Sequence, residues 1–291
     1  MRRGLLALFA SSALIVTTIA LRDTIAPDVA RHRLEAAISA WAGFPIELRG
    51  SAEVRLLPWP RLVWTAAVLA ERTGGATLAT ADRIEAPLAL LPLLRGRVVP
   101  DAVKLTAPSL RVTPLDPAAT TALLGRLAAL PPLDLRVEDG RVEWTDPSGR
   151  PDRVEALAGR LAHAGPGEAI ETDLKARWRG EPLTLRLNLP TADVAARWSL
   201  AAGIGEASLK VAGRGRAGAS PPAVDGTLAL DVPDPARLGR TFDLGPLADL
   251  LRVPLRLDAT LAATPTAATL TDLRLRLGDS TAEGTLAVSA E

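Results

Sequence analysis

Two histidines are the first residues of this chain to suggest a chemistry, and the sequence holds no others. Imidazole is the usual general base near neutral pH and a common metal ligand. His32 and His163 fall in different elements, and with no cysteine in the chain there is no thiolate to join them. A metal centre built from imidazole and thiolate is therefore excluded. A Ser-His-Asp relay would need His163 as its base, but Ser148 lies in a turn without the glycine pattern of a nucleophile elbow. His163 is expected at the surface. The run GRGRAG, from Gly213 to Gly218, has the G-x-G-x-x-G spacing that brings a backbone close to a pyrophosphate. Ser220-Pro221-Pro222 follows it, where that chemistry requires a helix N-terminus, so the run is expected to be a loop. Glu138 and Asp139 adjoin the turn dipeptide Asp139-Gly140 and read as solvated turn residues. The residues thus point to no catalytic group, no metal and no cofactor, and an enzyme is the least favoured class.

Composition narrows the alternatives. With 291 residues, 48% of them hydrophobic, the chain can bury a real core. Aromatic residues make up only 3% and tyrosine is absent, so that core must be mostly Leu, Val and Ala. The net charge is +1 with both signs interspersed, which provides no basic stripe for nucleic acid. Lysine occurs only at 104, 175 and 210, a bias towards arginine and not a site.

The N-terminal region reads as a membrane anchor. Behind Arg2 and Arg3, the eighteen residues Gly4 to Leu21 carry no charge and end at Arg22-Asp23. At ~1.5 Å per residue such a helix is about 27 Å long, enough to cross a hydrocarbon core of ~30 Å. Thr18-Ile19-Ala20 would also pass as a signal-peptide cleavage site, but signal h-regions are usually shorter than this run. Positive charge in front of the span places the N-terminus in the cytoplasm and the bulk of the chain outside it. Residues 1–22 are therefore expected to be an anchor and 23–45 an amphipathic helix. Pro27 opens that helix, Leu34, Ile38 and Trp41 lie on one face, and Gly43 ends it.

From Ile46 the apolar period drops from 3.6 to 2. Ile46, Leu48, Ala52, Val54 and Leu56 alternate with polar residues, as do Leu183, Leu185, Leu187 and Leu189. The same pattern holds for Val253, Leu255, Leu257, Ala259 and Leu261, and for Leu273, Leu275 and Leu277. These are strands with one greasy and one wet face. Turn signals at Asp139-Gly140, Asp146 to Gly149, Gly180 to Pro182, Asp225-Gly226 and Gly278-Asp279 separate them, which predicts an antiparallel meander. Helices are expected over 117–132, around Pro92 to Leu94, and from Asp234-Pro235 to about Leu251, with Gly245-Pro246 as a point where the last one can break. The boundaries that follow are a first β module over 46–116, a helical connector over 117–132 and a second β module over 133–291.

In this setting AGFPIELRGSAEVRLLPWPRLVW, the leucine block Leu91 to Gly96, and Val103 to Val112 resemble, in order, the AsmA family of bacterial envelope proteins. LDLRVEDGRVEW and the C-terminal LDATLAATPTAATLTDLRLRLGDSTAEGTLAVS extend the resemblance. The Gly-x-x-Asn-Trp signature of the family is absent, with Asp116 to Pro132 in its place. AsmA-like proteins are similar to repeating β-groove lipid-transfer proteins. The resemblance therefore implies a mainly β fold with a few helices, in which a transmembrane helix and an amphipathic helix precede a curved, mostly antiparallel sheet forming an aliphatic-lined groove.

The residues by themselves leave two uses open for a one-sided aliphatic sheet, an ordinary core or an open trough, and the core is the commoner. The resemblance favours the trough. It implies an inner-membrane-anchored, single-pass periplasmic protein that binds or conducts phospholipid between envelope membranes in support of outer-membrane biogenesis. Leu183, Leu185, Leu187, Leu255, Leu257, Leu273 and Leu275 would be its lipid-facing residues. The alternative is a non-enzymatic assembly factor for outer-membrane proteins that acts through protein contacts. Phospholipid or another acyl lipid and the inner membrane are the expected partners, and nucleic acid is not.

Overall fold

The computed structural model describes residues 32, 46–55, 59–71, 77–88, 102–112, 132–145, 149–165, 168–190, 196–216, 223–245, 252–264 and 267–289. The expected span over 4–21, the amphipathic helix over 23–45 apart from the helical, exposed His32, the short helix near Pro92 and the connector over 117–132 apart from Pro132 lie outside those residues. Among the described residues no helix is long and apolar enough to cross a membrane. The described chain is mainly β and mostly antiparallel, in two compact units.

In the first unit β1 (Ile46–Arg55), β2 (Arg61–Glu71) and β3 (Thr77–Pro87) pair antiparallel in sequence order. β2 holds the core. Trp64 is wholly buried, with Leu62, Ala67, Ala81 and Ala86 around it and Ile84 and Val103 packed alongside. The β1–β2 ladder slips at Gly50, whose φ is +119°. A Cβ there would lie 2.7 Å from the Ala66 carbonyl oxygen, so the backbones can approach only because the residue is glycine.

β4 (Val103–Thr106) and β5 (Ser109–Val112) are one strand interrupted at Ala107-Pro108. Both pair antiparallel with β3 and parallel with β6 (Leu133–Thr145), so the meander expected from the turn signals does not hold here. Asp139-Gly140 is correspondingly no turn. It lies inside β6, opposite the interruption, with Asp139 at a φ of +53°, and the Ala107 N–H and the Pro108 carbonyl bond to β6 on either side of it. Residues 134–150 belong to the first compact unit, whereas the sequence pattern placed them with the later module. Parallel pairing with β4 and β5 is the reason.

The second unit is an antiparallel meander. Its strands are β7 (Pro151–His163), β8 (Ile170–Trp178), β9 (Glu181–Leu189), β10 (Arg197–Ile204), β11 (Ala207–Arg216) and β12 (Ala223–Val232), followed by β13 (Leu255–Ala263), β14 (Ala267–Leu277) and β15 (Ser280–Ser289). Each pairs with the next. β8 and β9 close on the two-residue turn Arg179-Gly180, both at positive φ as a type I′ hairpin requires. The expected turn at Gly278-Asp279 joins β14 to β15, and a further one at Gly205-Glu206 joins β10 to β11.

Between β12 and β13 the helix α1 (Pro235–Thr241) begins as expected. The Asp234 carboxylate accepts from the Arg237 N–H at 2.9 Å, and proline stands in the first turn. It ends at Thr241, in a turn that takes Gly245 to a φ of +57°, and the rest of the expected helix, from residue 246 on, lies outside the described residues.

Three further expectations fail in this unit. Asp225-Gly226 lies within β12, and the GRGR of the glycine run lies within β11 instead of a loop. Gly213 and Gly226 face each other in register, and Trp198 stands opposite Gly213 in β10. A Cβ on Gly213 would come within 3.0 Å of the Trp198 ring, and one on Gly226 within 2.3 Å of the Ala212 carbonyl oxygen. The glycines therefore serve close packing beneath an indole, not phosphate binding. His163, expected at the surface, ends β7 opposite the buried Ile170 and is itself only 2% exposed. Neither of its ring nitrogens has a hydrogen-bond partner.

Candidate functional site

Side chains directly opposite one another in a ladder project from the same face. Followed from strand to strand, the registers of the second unit define one row: Leu174, Leu185, Ala202, Leu209, Leu230, Leu257, Leu275 and Ala282, from β8 to β15. Seven strand spacings of ~4.8 Å make the row roughly 34 Å long. Leu187, Leu200, Val211, Leu228 and Ala259 form a second row beside it.

All seven leucines singled out from the sequence lie on this face. Leu185, Leu257 and Leu275 stand in the first row, and Leu187 begins the β9 end of the second. Leu183 is paired with Ile204, Leu255 with Val232 and Leu277, and Leu273 with Gly284. Each of the seven is half-buried, and none is sealed in a core. Five row members were not singled out from the sequence, Ala202 and Ala282 among them; the other three, Leu174, Leu209 and Leu230, sit in the alternating stretches DLKARW, SLKVAG and TLALDV. Period 2 could have found those.

The opposite face is charged and wet. Asp173 faces Arg186 across β8 and β9 at 3.3 Å, Asp231 faces Arg256 at 2.7 Å, and Glu283 faces Arg274 at 3.7 Å. The Asp231 carboxylate, through a hydrogen bond and its charge, raises the Arg256 guanidinium above its ordinary pKa. Cross-strand pairs of opposite charge support the registers that assemble the apolar rows.

Near the β8–β9 turn the apolar face and α1 line an open cavity of about 490 Å³. Leu174, Leu185, Ile204, Leu209 and Leu230 line it from the strands, and Leu238 and Phe242 from α1 and its C-terminal turn. Trp178 stands at the rim, with its ring edge-on to Phe242 at a centroid distance of 5.0 Å and its Nε1 donating to Asp152 Oδ1 at 3.0 Å. Polar contacts from α1 and its C-terminal turn surround this aromatic pair. Arg237 donates twice to the Glu181 carboxylate, at 2.8 and 2.9 Å, and that carboxylate raises the guanidinium above its ordinary pKa. Arg179 donates to the Thr241 carbonyl oxygen at 2.7 Å and to Asp152 at 2.9 Å, and its guanidinium carbon lies 4.9 Å from the Trp178 ring centre. No sequence signal tied α1 to the β8–β9 turn, because the contacts join residues 56 and 62 positions apart.

An array of half-buried aliphatic side chains offers no bond-making group. It can exclude water from an apolar molecule and hold it by contact area. The fold and this face define a mainly β protein with antiparallel strands and an aliphatic surface turned away from its charged one. Residues 1–121 match the model of the AsmA family, and the match supports the AsmA family assignment. No curated protein and no solved structure matches the chain. The aliphatic rows and the cavity lie beyond the matched residues.

Proposed function

We propose that this AsmA-type chain is a periplasmic lipid handler, held in the inner membrane by residues 4–21, that binds or conducts phospholipid between envelope membranes along the aliphatic face of its second unit. It acts without catalysis, in support of outer-membrane biogenesis. The observation that carries this reading is the uninterrupted row from Leu174 to Ala282, aliphatic throughout and half-buried over most of its length. Soluble proteins rarely leave so long an apolar stripe without a use for it. Acyl chains fit that stripe because they need only continuous apolar contact, while the charged face keeps the strands hydrated on the other side.

A second reading, a non-enzymatic assembly factor for outer-membrane proteins, is favoured by β15. All ten of its residues are exposed, Leu286 and Val288 among them, and an exposed strand offers main-chain groups to another strand. Native mass spectrometry of the full chain, extracted gently from membranes, separates the two. Phospholipid bound at a defined stoichiometry is the expected result. A lipid-free protein carrying an outer-membrane polypeptide would replace the first reading with the second.

A further inference from the structure

Of α1, Pro235 and Gly239 are buried, while Leu238 lines a cavity instead of a packed core. Folded interiors close gaps larger than a water molecule, yet Leu238 and Phe242 line an open cavity of about 490 Å³ together with leucines of the sheet. That volume lies within the ~300–1,000 Å³ of small-molecule sites. Its walls are aliphatic and aromatic, and its floor is the row that continues across the unit to β15. An apolar tail entering from that row meets mostly apolar surface, with Lys175, Thr184 and Ser208 also in the lining, and reaches Phe242.

The polar contacts that hold the cover down lie at its rim. The Arg237 side chain is 49% exposed in its pair with Glu181, and Arg179 is 34% exposed in its pair with Asp152. Each pair has its guanidinium open to water and its carboxylate mostly covered, Glu181 at 15% and Asp152 at 12%, so the arginine is rehydrated when the pair parts. Phe242 and Leu244, in the turn that ends α1, are 47% and 45% exposed. The helix is thus fastened at one side by solvent-accessible contacts to the β8–β9 turn and continues at its start directly from β12.

We propose that α1 and Phe242 form a latched roof over a subsite for the tail of a single acyl chain, with Arg237–Glu181 and Arg179–Thr241 as the latch. The inference rests on the lipid-handling reading and deepens it. The tail lodges between the roof and the row, the head group stays outside, and the tail leaves when the latch opens.

The absence of cysteine allows a selective test. The full chain carrying Glu181→Cys and Arg237→Cys has no ion-pair latch until a short bismaleimide joins the two thiols. cis-Parinaric acid, a slender fluorescent fatty acid, serves as the probe. Its release should be fastest from the unlinked double variant, slower from the wild type, and roughly tenfold or more slower again from the linked form, as expected when a lid gates release. Glu181→Gln, a milder change that leaves the backbone of the turn untouched, should release faster than the wild type and provides the same comparison should the double variant fail to fold. Equal release rates from all forms that bind the probe would overturn the roof while leaving the aliphatic face as a lipid site. Failure of the wild type to bind the probe at all would overturn the roof and the lipid-handling reading together.

Discussion

Leu185 of β9 and Leu257 of β13 stand on a single cross-strand row, joined through Ala202, Leu209 and Leu230. Three strands lie between them, yet each link is a direct register pair, so a molecule touching both would meet aliphatic carbon all the way across. That relationship makes the two leucines the most informative positions to disturb.

Leu185→Asp and Leu257→Asp are each expected to leave the protein folded, with a stability loss of about 1–3 kcal/mol and a clear fall in bound lipid. Both leucines are half-buried, so a carboxylate at either position can stay hydrated while blocking an acyl chain. Thermal unfolding and lipid extraction on the same sample read the two effects. A folded variant with wild-type lipid content would remove that position from the lipid path, and an unfolded one would make the face an ordinary core.

Gly226→Ala places a Cβ 2.3 Å from the Ala212 carbonyl oxygen, in the ladder that carries Trp198 over Gly213. A loss of about 1–3 kcal/mol is expected, as for other overpacked interiors. Urea titration followed by tryptophan emission measures it. An unchanged midpoint would mean that the two glycines are not needed for the close approach.

His163→Leu should leave stability unchanged or raise it by about 1 kcal/mol, because an apolar side chain of similar size replaces a buried ring with no hydrogen-bond partner. His163→Ala, which leaves a cavity, should cost about 1–2 kcal/mol. Lipid loading should not change in either variant. A folded His163→Leu protein that fails in the envelope would assign the imidazole a task beyond packing.

Ile15→Arg tests the proposed anchor. A charge at the centre of the span costs ~2.5–3.5 kcal/mol of insertion. The variant should therefore lose membrane retention, read by fractionation of the envelope. Wild-type chain that is found soluble in the periplasm and begins near Leu21 would instead make the segment a cleaved signal.

Alternation along one strand fixes which side chains share a face, and for that reason Leu183 to Leu187, Leu255 to Leu257 and Leu273 to Leu275 are legible in the sequence alone. The start of α1 was legible too, since Asp234 and Pro235 act within a single turn. Partner and register are long-range properties that period 2 does not encode. Asp139-Gly140 and Asp225-Gly226 carry the composition of turns but lie inside β6 and β12: close approach to Ala212 also selects glycine at 226, and the positive φ of Asp139 falls opposite the interruption between β4 and β5. The same ambiguity misplaced the run beginning at Gly213. His163 was assigned to the surface as a polar side chain, and the course of β7 past Ile170 buried it. The parallel pairing of β6 with β4 and β5, the joining of eight strands into one row, and the closing of α1 over that row by Arg237 and Glu181 were decided only by the tertiary structure. Each depends on residues far apart in the chain meeting at hydrogen-bond or van der Waals distance, which no local pattern of hydropathy specifies.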